Sequence, residues 1–239
     1  MDRKSILLAT VAFAAILPFA AVPTIAKAPI KPVQVAKADA VAPKAGSAAV
    51  AGEREVVRAS VDGFRSAKFG MSERDVRRAM KKDFSLSKKD IAVEENKQER
   101  TRVLAAEVKD LLPGGGATKV SYVFGYKTDK LIQVSAVWSG ATDKSITAEQ
   151  LYSNANQLQR YFTSAGFEPS SIAMNVPTAD GVIMFRGSDA QKRTTLLMLR
   201  GKYGQTKDQQ RVLMPSALML FYVKDAEKPD IYRLPKGLF

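Results

Sequence analysis

Thr118-Lys119-Val120-Ser121-Tyr122-Val123-Phe124-Gly125-Tyr126 is the stretch that decides the fold. Side chains of a strand alternate between its two faces, so Val120, Tyr122, Phe124 and Tyr126 share one side. Leu131 to Trp138 repeats the pattern with Ile132, Val134, Ala136 and Trp138. Between the two runs, Lys127-Thr128-Asp129-Lys130 reads as a hairpin loop. Half-buried strands joined in this way belong to an antiparallel sheet with one face turned to a core.

Working outward toward the N-terminus, residues 100–112 admit two readings. Leu104, Ala106 and Val108 alternate as in a strand, while Leu104, Val108, Leu111 and Leu112 also fit a helix. The breaker Pro113-Gly114-Gly115-Gly116 ahead of the next strand tilts the balance to a third antiparallel strand. Further out lies Gly70-Met71-Ser72-Glu73-Arg74-Asp75-Val76. Ser72 is an N-cap, and Asp75 stands where a carboxylate reaches back to the cap. Met71 and Val76 are placed to close a hydrophobic staple. With Ala79, Met80 and Phe84 continuing the apolar side, a helix over 73–83 is predicted.

Toward the C-terminus the order recurs. Thr147 caps a segment with Leu151, Ala155, Leu158, Tyr161 and Phe162 at helical spacing, ended by Ala165-Gly166. Apolar strands follow at Val182–Arg186, Thr194–Arg200 and Ala217–Val223. The expectation is an α+β domain: an antiparallel sheet with helices on one face, built from a duplicated helix-plus-three-strand unit. The halves differ in one respect. Leu196-Leu197-Met198-Leu199 and Leu218-Met219-Leu220-Phe221-Tyr222-Val223 are apolar at successive positions, the pattern of strands covered on both faces. A second layer of this chain is the favoured cover, and a partner is the other.

Outside this domain, at 61–239, the composition changes. Residues 27–60 form a linker rich in Ala, Pro and Lys, with Pro29, Pro32 and Pro43, and a short helical lead-in over 53–60. Residues 1–26 read as a secretory signal: Arg3 and Lys4 precede an uncharged run from Ser5 to Ala26, with small residues at the cleavage position. The same run is long enough for an uncleaved anchor, although Pro18 and Pro23 interrupt its helix. Either way the domain is expected to be periplasmic or otherwise extracytoplasmic, and held at the inner membrane if the signal stays on.

The chain has 239 residues and a net charge of +13, with no cysteine and no histidine. A fold without disulfides in an exported protein rests on its hydrophobic core. A Ser-His-Asp triad, a thiol nucleophile, a haem histidine and a standard zinc site are all excluded, and no calcium-loop spacing occurs. Ser85-Leu86-Ser87-Lys88 matches S-x-x-K without its companion motifs. Gly114-Gly115-Gly116-Ala117-Thr118-Lys119 lacks phosphate-loop spacing and precedes a strand, so it reads as a turn. Glu94, Glu95 and Glu99 read as a solvated cluster. No catalytic residue, cofactor or metal ligand is assigned.

Arg74, Arg77, Arg78, Lys81 and Lys82 surround the predicted first helix on the sides away from Val76 and Met80. This face is either a contact for an anionic partner or membrane surface, or a solvated face that keeps the chain soluble. Tyr122, Phe124 and Tyr126 are more often core than a base-stacking platform. The ribonucleoprotein strand motif is absent, so nucleic acid is not an expected partner.

Gly70-Met71-Ser72-Glu73-Arg74-Asp75-Val76 resembles the G-M-[ST]-x-x-x-V helix start of small envelope modules, the SmpA/OmlA (BamE-like) and beta-lactamase-inhibitor-protein-like families. The stretch from Gly63-Phe64-Arg65-Ser66-Ala67-Lys68-Phe69 through Tyr122-Val123-Phe124-Gly125-Tyr126 is similar to a group of exported bacterial envelope proteins. The chain departs from the lipoprotein pattern in having no lipobox cysteine. The resemblance implies a non-catalytic binding or assembly module and carries over no functional residue. The functional expectation is a non-enzymatic periplasmic or envelope protein that binds or scaffolds an envelope protein or an anionic membrane surface. The alternative is an envelope hydrolase using Ser and Lys or paired carboxylates.

Overall fold

Ser72 caps the first helix as its sequence requires. In the computed structural model, which describes residues 58–205, 209, 211–235 and 237, its hydroxyl accepts from the Asp75 N–H at 3.3 Å. The Asp75 carboxylate in turn accepts from the Ser72 hydroxyl at 2.6 Å, so the box closes between side chains. Gly70, at φ +86°, makes the turn into the helix, in a region that L side chains rarely adopt. Its N–H donates to the Leu131 carbonyl at 2.9 Å, and the Leu131 N–H donates to the Met71 carbonyl at 2.9 Å. The start of the helix is thereby fixed to the start of a central strand.

Around this junction the chain runs through β1 (Gly63–Phe64), β2 (Ala67–Lys68), α1 (Glu73–Phe84), β3 (Ala92–Asn96), β4 (Thr101–Val108), β5 (Thr118–Phe124) and β6 (Leu131–Ser139). The second half is α2 (Ala148–Thr163), β7 (Ala173–Thr178), β8 (Gly181–Ser188), β9 (Thr194–Gln205) and β10 (Arg211–Val223). Strands β1 and β2 form a small hairpin, and the other eight make one antiparallel sheet in the order β3-β4-β5-β6-β10-β9-β8-β7. Each half is thus a helix followed by a four-strand meander, and the halves join through β6 and β10.

The α+β class and the antiparallel sheet with helices on one face are as the sequence indicates. Each unit has one strand more than the pattern reveals, because β3 and β7 are edge strands with little burial of their own. Residues 101–108 are strand, settling the ambiguity there. A register shift at the β5–β6 turn pairs Phe124 with Leu131, so Leu131 rather than Ile132 joins Val134, Ala136 and Trp138 on the core side. Tyr161 departs from the predicted stripe: it is 65% exposed, while Leu151, Ala155, Leu158 and Phe162 are buried. Tyr126 leaves the core as well and stacks edge-on against Tyr232. The signal or anchor segment at 1–26 and the linker up to residue 57 lie outside the described residues.

A single core holds the domain. Val76 and Met80 of α1, and Leu151, Ala155 and Phe162 of α2, pack on alternate strand residues: Leu104, Val120, Tyr122, Phe124, Val134, Trp138, Leu197, Leu199, Leu218 and Leu220. Two carboxylates fasten the ends of the described chain. Asp189, its side chain fully buried, accepts from the N–H groups of Val61, Gln191 and Arg193 and pairs with the Arg193 guanidinium at 2.7 Å. Asp230 accepts from the N–H groups of Lys127 and Thr128 and from the Thr128 hydroxyl, docking the C-terminal segment on the β5–β6 turn. Gly125 sits so close to it that a Cβ would stand 2.2 Å from the Asp230 carboxylate.

Candidate functional site

The strand residues of the core alternate with a second set that faces away from both helices. Cross-strand register fixes this set in rows. One row runs Val137, Met219, Met198 and Ile183; the next runs Ser121, Ser135, Phe221, Leu196 and Arg186. None of these side chains belongs to the core cluster under the helices. Val137, Ile183, Leu196, Met198 and Phe221 are half-buried and Met219 is buried. Among the described residues no second layer covers this face. Among the described residues, the apolar runs in β9 and β10 are covered on the α2 side.

The stripe continues past the end of the sheet. Pairing of β8 with β9 ends at Arg200, and pairing of β6 with β10 ends at Ala217. Beyond them, residues 201–205 and 211–215 pair only with each other and project as a two-stranded ribbon. One side of the ribbon is docked: Leu213 is buried, its carbonyl accepts from the Tyr152 hydroxyl at 2.7 Å, and the Tyr203 hydroxyl donates to the Gly181 carbonyl at 2.6 Å. The other side carries Val212 and Met214, 41% and 58% exposed, in line with Met219 and Phe221. Apart from the exposed Ser216 in the bulge before Ala217, the open face of β10 thus reads Val212, Met214, Ala217, Met219, Phe221, Val223. At ~3.3 Å per residue the strip is about 40 Å long.

The five basic residues singled out in the sequence all lie on α1, where Val76, Ala79 and Met80 face the core. They are not equivalent. Arg77 pairs with Glu73 at 2.8 Å, Arg78 pairs with Asp75, and Arg102 of β4 also reaches Glu73 at 3.0 Å. The hydroxyl of Ser72 and the guanidinium of Arg78 lower the Asp75 pKa to about 2, so it stays charged. Arg74, Lys81 and Lys82 are exposed and make no ion pair among the described residues. Arg74 and Lys81 line an open groove with Glu73, Arg77 and Arg78. Because α1 packs on one side of the sheet, these cations and the open strand face look in opposite directions.

The catalytic motifs weighed in the sequence do not assemble. Ser85 is the left-handed C-cap of α1, exposed, with no hydrogen bond to the equally exposed Lys88. Every described lysine is exposed except the half-buried Lys119, which pairs with Glu94 at 2.7 Å. Glu99 is drawn above the usual carboxylate range by burial, and its partner is the Asn96 amide. The glycine loop is a turn held by α2: Asn154 donates to the Gly115 carbonyl at 2.8 Å, and Asp143 accepts from the Ala117 N–H. Among the described residues no group of three carboxylates is placed to hold a metal, and no helix is long and apolar enough to cross a membrane.

The apolar runs of β9 and β10 are visible in the sequence, but which side stays open depends on where α2 packs. Compared with protein-family models, with curated proteins and with solved structures, the chain matches none.

Proposed function

We propose that this chain is a non-enzymatic binding or scaffolding protein of the cell envelope, holding a partner protein against the open face of its sheet. The observation that carries the reading is the apolar strip along β10, flanked by Leu196, Met198 and Ile183 and left without a covering layer among the described residues. Val212 and Met214 of this strip are exposed, Ala217, Phe221, Leu196, Met198 and Ile183 are half-buried, and an apolar surface left open in this way is typical of interaction sites. Three methionines, Met198, Met214 and Met219, give it a side-chain surface that adapts to a partner. The export-like segment at 1–26 and the resemblance of Gly70–Val76 to small envelope modules support the compartment and the role. The unpaired cations Arg74, Lys81 and Lys82 on the opposite side suit an anionic membrane surface, which would leave the strand face free. The test is affinity capture from envelope extract with the natural chain and with Met214→Asp. A partner bound by the first and lost with the second is expected. The same proteins recovered by both, or none by either, would contradict the reading.

A further inference from the structure

Strands β7 to β10 contain no Asp or Glu at all. They carry Arg186, Arg200, Lys202 and Arg211, and the first three lie on the open face. Register places each beside the apolar strip: Arg186 next to Leu196 and, beyond it, Phe221; Lys202 opposite Met214; and Arg200 opposite Ala217, where it already pairs with Asp180 at 2.7 Å. The cations therefore follow one flank of the strip, the β8–β9 side. The other flank, from β6, is Gln133, Ser135, Val137 and Ser139, which are uncharged. The strands of the first half are different, with Glu94, Glu95 and Glu107.

Resting on the docking role proposed above, we infer that the partner of this face is a protein segment with an apolar strip and carboxylates along one side. It lies along β10 with those carboxylates toward Arg186 and Lys202, the cations of this flank without an ion pair among the described residues. Electrostatic complementarity of this kind fixes orientation and excludes wrong partners, while the apolar strip supplies the buried area. The chain's own linker does not fit, because residues 27–52 carry Lys27, Lys31, Lys37 and Lys44 against Asp39 alone. A second copy fits poorly too: strands β7 to β10 repel their own kind, and of the open-face carboxylates on β3 and β4 Glu94 is already taken by Lys119, leaving Glu107 alone.

The experiment selects binders from a random peptide library displayed on phage, using the full chain as bait. Counter-selections use Met214→Asp, which removes the strip, and the Arg186→Glu/Lys202→Glu double variant, which inverts the flank. All three positions are exposed or half-buried, and circular dichroism checks folding. The expected binders combine apolar residues with Asp or Glu, and lose affinity about tenfold or more for each cation reversed. Exchanging their carboxylates for lysine restores binding to the double variant. Peptides lost on Met214→Asp but without acidic bias would overturn the partner's chemistry and leave the docking face standing. No peptide sensitive to Met214→Asp would overturn both. Phosphatidylglycerol vesicles bound through the same residues, with no peptide selected, would overturn the inference in favour of a lipid surface.

Discussion

Asp189 shows how much one side chain can hold. Its carboxylate takes three backbone N–H groups and the Arg193 guanidinium while fully buried, and through the Val61 N–H it sets where the domain begins. Replacing it with alanine strands those donors and leaves Arg193 without its charge partner. The expected loss is about 3 kcal/mol in urea unfolding, against about 1 for an ordinary hydrogen bond. At the other end of the described first half, Asp75 makes a pH prediction. Its pKa is held at about 2 by Ser72 and Arg78, below the ordinary aspartate value of about 3.9. A depressed folded value means the stabilisation is present above the unfolded pKa and is lost as pH falls through the folded one. The Asp75 contribution is therefore expected to fade between about pH 4 and pH 2. Carboxyl NMR titration reads it directly, and Ser72→Ala should move the Asp75 midpoint upward. An unchanged midpoint in that variant would show that the hydroxyl is not the cause.

Among the elements, α1 and α2 were legible because caps and apolar stripes are local. Ser72 and Thr147 both accept from the N–H three residues on, as their positions in the sequence require. Tyr161 was misread because it neighbours Phe162 on the helix and lies just off the stripe. Strands β3 and β7 were missed for a different reason. Ala92–Asn96 and Ala173–Thr178 bury almost nothing and exist because β4 and β8 offer a ladder to pair with. Pro177 is tolerated in β7 because an edge strand is paired on one side only. For α1, reversing Arg74, Lys81 and Lys82 to Glu touches no ion pair and no buried contact. Each change is expected to alter stability by about 0.5 kcal/mol or less. Binding to phosphatidylglycerol vesicles should fall, and the natural chain's binding should weaken with salt. Equal binding by both chains would leave this helix face merely solvated.

At the scale of the whole molecule, the sequence showed two similar halves but not their union. That union is the antiparallel pairing of Gln133–Ser139 with Ala217–Val223, between residues 78 to 90 apart in the chain. No local pattern encodes such a long-range contact. It bears on the proposed function, because it makes one sheet of eight strands with a face that no layer of the described residues covers. The apolar runs in β9 and β10 announced that something must cover them, and the favoured reading was this chain's own second layer. Among the described residues there is none, and the docking role proposed above is a reading of that open face.

The most direct test is site-specific photo-crosslinking in cells, with the reactive residue at Leu196 or Met214 on the open face and at Gln157 on α2 as the reference. The expected result is one protein adduct at the first two positions and not at the third, its crosslinked segment carrying carboxylates beside apolar residues. Adducts no stronger at Leu196 and Met214 than at Gln157 would contradict the claim that this face is a docking surface.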